Sequence, residues 1–385
     1  MVAVRGARGP PAGPDEGSRM ANTSVVGLDI GSSQIKAVHV ERRRNLWSLA
    51  HVGIVPTPPD SVQDGVILDI PRVTEAVRQL MRDHQIPPTD CIAAVTGSQV
   101  LVRSIRIPDM KQAALPRSIR FEAAKHIDQG ATGATIDNSV VEYEVRGKLG
   151  EVPNQQLDVL MVIAPLPMVN SRVAVMEGAG LEPVAVDVEA FAVMRAVHAV
   201  GIVPGPNQAV VVCNMGATYT DVNIILENEV AVTRSIPLGG NSLTLSLASM
   251  LNCPPEDAEA QKKFVDVSPG QDTDAIVMGM AVQNPTRQVA VPFVDELIRE
   301  LRRSVIYFQS QAAEAGVQVA VEHLLLTGGG AELIGLGAYL RERLGMDVRV
   351  LDLLGIHSES PASQEWEGRG AELAVAIGLA LKEYV

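Results

Sequence analysis

The chain has 385 residues, of which 46% are apolar and only 3% aromatic, and it carries a formal net charge of -13 at pH 7. That length exceeds one ordinary core and suits two domains or a pair of related lobes. The scarcity of aromatics argues against nucleic-acid binding by base stacking, and the acidity opposes attraction to phosphate backbones and anionic lipid. Cys91, Cys213 and Cys253 have no metal-ligand spacing and an odd count, which fits a reducing compartment. No apolar run approaches the roughly 18 residues needed to span a bilayer, so a cytoplasmic protein that reaches a membrane only through a partner is expected.

Residues 1–23 begin with a stretch rich in Gly, Pro and Arg that cannot bury enough surface to order itself, and they read as a disordered extension. From Val25 the pattern is strand (Val25 to Ile30), glycine turn, strand (Ile35 to Val40) and a third strand from Leu46 to Val55. Val73 to His84 has helical spacing and stops before Pro87-Pro88, and Cys91 to Thr96 reads as a strand. These elements make residues 24–102 the first part of one lobe.

Across residues 103–188 the texture changes. Short strand-like runs (Ser139 to Val145, Leu157 to Ile163) alternate with helical ones (Leu115 to Ile127, Pro167 to Gly178), and a strand near Pro183 to Val188 follows, the pattern of a small inserted α+β subdomain. Residues 189–207 read as a connecting segment and helix leading to a second lobe, 208–385, which repeats the opening theme with strands Val210 to Cys213, Asp221 to Leu226 and Val230 to Ile236. Phe293 to Ser310 is expected to be a helix, because Val294, Leu297, Ile298, Leu301, Val305 and Phe308 fall on one face. His323 to Thr327 is expected to be a buried strand running into Gly328-Gly329-Gly330, and Ala371 to Val385 a core helix that packs back toward the first lobe.

A backbone that approaches a polyphosphate needs turns without Cβ obstruction, small hydroxyl donors and outward amide N–H groups. Gly31, Ser32 and Ser33 supply these after the first strand, with Lys36 on the next strand as a cation and Asp29 as a carboxylate for a magnesium-bound water. On spacing alone an ordinary hairpin turn explains the same residues. Gly216-Ala217-Thr218 offers the facing half of a clamp, and Gly328 to Gly330 permits close approach to a flat group such as adenine, with a tight strand-to-helix connection as the plainer reading. Neither the dinucleotide-binding nor the P-loop glycine pattern accounts for these turns.

Taken together, Gly27 to Val38, Asn214 to Thr218, Arg234 to Gly240, Ala258 to Lys262 and Leu325 to Ala331 resemble, in order and spacing, the PilM family of actin-like type IV pilus assembly proteins over about residues 24 to 385. The resemblance implies an α/β, actin/Hsp70-like (ribonuclease H-like) two-lobed fold with a small α+β insertion in the first lobe, as in FtsA. It also implies ATP or ADP with Mg2+ in a cleft between the lobes. Carried over, Gly31, Ser32, Ser33 and Lys36 match the first phosphate motif, Asp29 the metal-side carboxylate, and Gly216, Ala217 and Thr218 the second phosphate motif. Gly239 and Gly240 border the cleft, Glu259 and Lys262 match the helix that touches ribose and adenine, and Gly328, Gly329 and Gly330 match the adenosine loop.

Asn214 stands where the family usually has Asp, so an oxygen acceptor remains but a charge is lost, which predicts weaker metal affinity and slow hydrolysis at most. Glu189 is the candidate to position water, with a structural carboxylate as the plainer alternative. The implied partner is the cytoplasmic N-terminal segment of a PilN-like single-span membrane protein, which gives a peripheral inner-membrane address, with self-association as a dimer or filament a further expectation. An FtsA-like filament protein and a small-molecule kinase of the same superfamily are the alternatives.

Overall fold

The computed structural model describes residues 2–3, 24–43, 46–127, 135–150, 154–270, 275–277, 280–282, 285–314, 316–354, 366 and 368–382. It separates into two compact units, one of Met1–Ala196, His357–Trp366 and Val375–Val385, the other of Val197–Ile356 and Glu367–Ala374.

In the first unit the elements are β1 (Val2–Ala3), β2 (Ser24–Ile30), β3 (Gln34–Arg43), β4 (Leu46–Pro56), a small hairpin of β5 (Val62–Gln63) and β6 (Val66–Ile67), α1 (Ile70–Asp83), β7 (Asp90–Val95), β8 (Leu101–Pro108), α2 (Leu115–His126), β9 (Ser139–Leu149), β10 (Gln156–Pro165), α3 (Leu166–Gly178), β11 (Glu182–Val188) and α4 (Glu189–Ala199). The main sheet has the order β1-β11-β7-β2-β3-β4. β2, β3 and β4 form an antiparallel meander, while β7 and β11 add in parallel on the other side of β2. Strands buried on both faces must be apolar throughout, as Cys91 to Val95 of β7 are. Val2 and Ala3 pair with β11, unlike the disordered extension expected there, and residues 4–23 of that extension lie outside the described residues.

The inserted subdomain is smaller than the expected span of 103–188. Its sheet, β8-β10-β9, is separate, and α2 packs Leu115, Ile119 and Ala123 onto Leu157, Val159, Met161 and Ile163. α3 and β11, which the sequence reading assigned to the insertion, belong to the main body: α3 packs on α1, and β11 pairs in parallel with β7. The reason is that Ala185 to Val188 are buried in succession, so β11 needs an interior place in a covered sheet.

The second unit contains β12 (Gln208–Met215), β13 (Thr220–Leu226), β14 (Glu229–Ile236), α5 (Gly240–Leu251), α6 (Pro255–Lys262), a hairpin of β15 (Ala275–Val277) and β16 (Met280–Val282), α7 (Pro285–Glu314), β17 (Ala320–Thr327), α8 (Leu336–Leu344) and β18 (Asp347–Val350). Its sheet order is β14-β13-β12-β17-β18, again an antiparallel meander with two parallel strands added beside its first member. This matches β4-β3-β2-β7-β11, so the repeat seen in the sequence is a repeat of topology. α7 covers one face through Leu297, Ile298, Leu301 and Val305, against Val211, Cys213, Ile224 and Leu326. It begins earlier than expected and runs through Pro292. That proline removes one helical hydrogen bond, but Arg287 and Ala290 upstream of it are buried and Arg287 donates to the Asp266 carbonyl at 3.0 Å, which holds the extra turns in place.

All three cysteines are free; burial pushes the Cys213 thiol up to about 12 and Cys91 upward as well, so both are chemically quiet. Among the described residues no helix is long and apolar enough to cross a membrane.

The last helix, α9 (Ala374–Ala380), is almost wholly buried, and from Val375 it counts with the first unit. It sits at backbone contact distance: a Cβ on Gly27 of β2 would lie 1.9 Å from the Ala376 carbonyl oxygen, and one on Gly378 would lie 1.8 Å from that of Ala192 in α4. Only hydrogen fits at either position. Lys382, just beyond α9, and Arg195 both pair with buried Asp187, at 2.8 and 2.7 Å, and Arg195 also donates to the Gly378 carbonyl at 2.8 Å. Gly378→Val is therefore expected to cost about 1–3 kcal/mol or more, as overpacking against backbone does, seen as a lower denaturant midpoint. A midpoint equal to that of the parent protein would show that α9 is not seated against α4.

Candidate functional site

In the first unit the hairpin register places Asp29 opposite Lys36, and the Lys36 ammonium lies 3.4 Å from the Asp29 carboxylate, with both side chains mostly covered. The turn between them closes with the Gly31 N–H donating to the Gln34 carbonyl at 3.0 Å. Thr57, just after β4, grips the turn from one side: its hydroxyl donates to the Gly31 carbonyl at 2.7 Å and its backbone N–H to the Ser33 carbonyl at 2.9 Å. Gly31, Ser32, Ser33, Asp29 and Lys36 are thus one local constellation at the end of β2.

Glu189 joins it through a buried cation. It is the first residue of α4 and is buried, at the end of β11. Arg172 of α3 is 1% exposed and donates to the carbonyls of Ala94, of Gly65 at 2.7 Å and of Met168 at 3.1 Å. Burial lowers the guanidinium to about 10 while the charges of Asp29 and Glu189 oppose that fall, so it remains protonated at neutral pH. Asp29 and Glu189 share the field of one fixed positive charge.

The second unit gathers the other candidates. Asn214, near the end of β12, is buried, and its Oδ1 accepts from the Thr327 hydroxyl of β17 at 3.1 Å. The following turn closes with the Gly216 N–H donating to the Tyr219 carbonyl at 2.9 Å. Its carbonyls are held from the start of α5: the Gly240 N–H donates to Gly216 O at 2.9 Å and the Asn241 N–H to Ala217 O at 2.8 Å. A Cβ on Gly239 would lie 2.4 Å from Ala217 O, so glycine is required for that approach. Gly328, at φ 80°, passes so close to Met215 that a Cβ would lie 2.5 Å from its carbonyl oxygen, and one on Gly330 would lie 2.6 Å from the Met215 Cβ. Nothing lies within 4 Å of such an atom on Gly329. Gly328 and Gly330 therefore serve close packing of the β17 turn on the end of β12, and Gly329 is the member with open space beside it.

On α6, Glu259 and Lys262 form an ion pair at 2.6 Å that reaches the first turn of α5: Lys262 donates to the Thr244 hydroxyl at 3.0 Å and to Gly240 O at 3.3 Å. The Thr244 hydroxyl is 2.9 Å from Gly240 O and also contacts the Glu259 carboxylate, its single proton serving one of them at a time. Burial would raise the Glu259 carboxyl, but the hydrogen bonds from Lys262 and Thr244 outweigh it and hold the group below the ordinary glutamate range.

Thr57, Arg172, Thr244 and Thr327 were not singled out in the sequence. Thr244 had a signal, since it stands four residues after Gly240 and so one helical turn above it. Arg172 had none, because a mid-helix arginine normally reads as solvated.

A carboxylate with neighbouring waters and phosphate oxygens is an ordinary magnesium environment, and Asp29 alone fits that part. Among the described residues no three His, Cys, Asp or Glu side chains converge as a protein-only metal site.

Two sheets that share one five-strand order, each with a glycine turn in its first hairpin, define an actin-like fold. The solved PilM-PilN type IV pilus biogenesis complex matches it with TM-score 0.76 and 24% identity, covering 95% of this chain and 100% of that one. MreB5 of Spiroplasma citri bound to ADP matches with TM-score 0.50 and 14% identity, covering 94% and 96%. By sequence, the cell division protein FtsA of Bacillus subtilis (strain 168) is 23% identical over 361 residues, 86% of this chain and 78% of that protein. Residues 27–384 match the family described as type IV pilus assembly protein PilM, and the chain belongs to that family.

Because the Glu259 carboxyl is depressed, its contribution to stability is complete above the ordinary value of 4.5 and is lost as pH falls through the folded value. In Lys262→Ala, burial is opposed by fewer hydrogen bonds, so Glu259 should titrate at higher pH and the acid-side loss of stability, which still begins near the ordinary value, should be smaller. A carboxyl 13C NMR titration reads this directly. An unshifted midpoint would mean that Lys262 does not hold Glu259 in solution.

Proposed function

We propose that this chain is a nucleotide-binding scaffold of a type IV pilus inner-membrane platform. It binds ATP or ADP with Mg2+ at the glycine turns and recruits the cytoplasmic N-terminal segment of a PilN-like membrane protein. The observation that carries this reading is family membership over nearly the whole chain, together with the clustering of the motif residues at strand ends within each unit. In that reading Gly31, Ser32, Ser33 and Lys36 receive phosphate in the first unit, and Gly216, Ala217 and Thr218 do so in the second. Asp29 holds the metal-side water, and Glu259 and Lys262, pre-paired on α6, meet the nucleoside. Residence at the cytoplasmic face of the inner membrane then comes through the partner.

The nucleotide serves conformation more than chemistry. Asn214 contributes an amide where a second carboxylate would strengthen metal binding, and its oxygen already accepts the Thr327 hydroxyl. Glu189 is buried and its charge interacts with that of the Arg172 guanidinium, a setting that suits a structural carboxylate as well as a water-positioning one. The FtsA-like alternative draws on the sequence relatives, while the family match over residues 27–384 supports the pilus reading.

Calorimetry should detect Mg-ATP or ADP binding, and phosphate release should stay far below the roughly 1 per second of ordinary enzymes. Failure to bind at millimolar nucleotide would overturn the reading. Asn214→Asp should steepen the magnesium dependence of nucleotide affinity; the same dependence as the parent would place Asn214 outside the metal shell.

For the partner, a synthetic peptide of the cytoplasmic N-terminal segment of a PilN-like protein is expected to bind the full chain at about micromolar affinity. Equal signal from a scrambled peptide would refute recruitment through that segment.

A further inference from the structure

The first glycine turn can be read one peptide plane at a time. A trans peptide is planar, so the C=O of one residue and the N–H of the next point in opposite directions. Thr57 fixes two of these planes. Its hydroxyl holds Gly31 O at 2.7 Å, which turns the Ser32 N–H away from Thr57, and its own N–H holds Ser33 O at 2.9 Å, which does the same for the Gln34 N–H. Without an anchored carbonyl, the plane between Gly31 and Ser32 is free to rotate, because glycine imposes little restriction of its own.

Thr57 is itself immobilised. It is 7% exposed, and Pro58 confines it to an extended backbone conformation. The next corner is tied by the Ser61 N–H donating to Pro58 O at 3.2 Å and by the Leu68 N–H donating to Ser61 O at 2.7 Å. The clamp is thus held on both sides, by the β3–β4 ladder that pairs Gln34 with Pro56 and by the loop leading toward α1. The second unit uses a different device for the same end, since the first amides of α5 hold Gly216 O and Ala217 O. In the first unit a side chain supplies the restraint, so a conservative substitution can remove it there.

Building on the nucleotide-binding reading, we propose that Thr57 is a positioning residue that pre-orients the backbone amide of Ser32 toward the phosphates of the nucleotide. It touches no ligand itself. Its effect is confined to the phosphate end: a preset amide removes an ordering cost on binding and leaves the adenosine contacts as they were.

The test compares Thr57→Val, which keeps shape and backbone N–H but loses the hydroxyl, with Thr57→Ser, which restores it. Calorimetry is run with ADP, ATP and adenosine on the full chain. Expected is a loss of about fivefold in ATP and ADP affinity for Thr57→Val, the equilibrium equivalent of one ordinary hydrogen bond, with adenosine unchanged and Thr57→Ser close to the parent protein. Unchanged ATP affinity in Thr57→Val, or equal losses for ATP and adenosine, would overturn it.

A measurement on the parent protein covers the case in which the valine variant does not fold. The Ser32 amide resonance should move on titration with ADP and stay in place with adenosine, and a Ser32 amide indifferent to ADP sinks the proposal. If the parent binds no nucleotide at all, it is the broader functional reading that fails.

Discussion

A turn that is to face a polyanion must present its amide hydrogens, and it can do so only if its carbonyl oxygens are satisfied elsewhere. Both glycine turns obey that constraint by recruiting donors from the element after the meander begins: Thr57 beyond β4 in one case, and the opening amides of α5 in the other. The remaining architecture follows from keeping those donors in reach. Each meander must return its third strand past its first turn, and each sheet must be rigid enough to hold a carbonyl and its donor near 2.9 Å.

Rigidity comes from unusually close backbone packing. Gly27 and Gly378 let α9 lie between β2 and α4 at a separation that no side chain would tolerate. Asp187 binds the same layer together electrostatically, since Arg195 and Lys382 approach it from α4 and from the end of α9. Burial alone would raise that carboxyl, yet the two cations outweigh burial and hold it below its ordinary range. A buried pair of this kind is a poor source of net stability, but it joins β11 to α4 and to the end of α9.

Arg172 is the other buried charge of consequence. It donates to three carbonyls, from β7, the β5–β6 turn and α3, and so ties those elements together while its charge interacts with those of Asp29 and Glu189. The carbonyls orient the guanidinium, and the charges of Asp29 and Glu189 help to keep it protonated. The α6 pair of Glu259 and Lys262 has the same economy, with Thr244 mediating between the pair and the start of α5.

Much of this was legible in the amino-acid order. Glycine, proline and the alternation of apolar residues are local signals, and they placed the two meanders and the three glycine turns to within a few residues, because backbone conformation at a turn is decided by the residues in it; the long helix was found but its first eight residues were missed. The order of five motifs carried the family. What the sequence by itself could not determine was which distant groups complete each turn. Thr57 reads as part of a Thr-Pro-Pro loop, Arg172 as one arginine on one helix, and α3 and β11 as the end of an insertion; their roles come from partners 26, 78 and about 90 residues away. Long-range hydrogen bonds and parallel strand pairing leave no periodicity in the chain, so only the tertiary structure decided them.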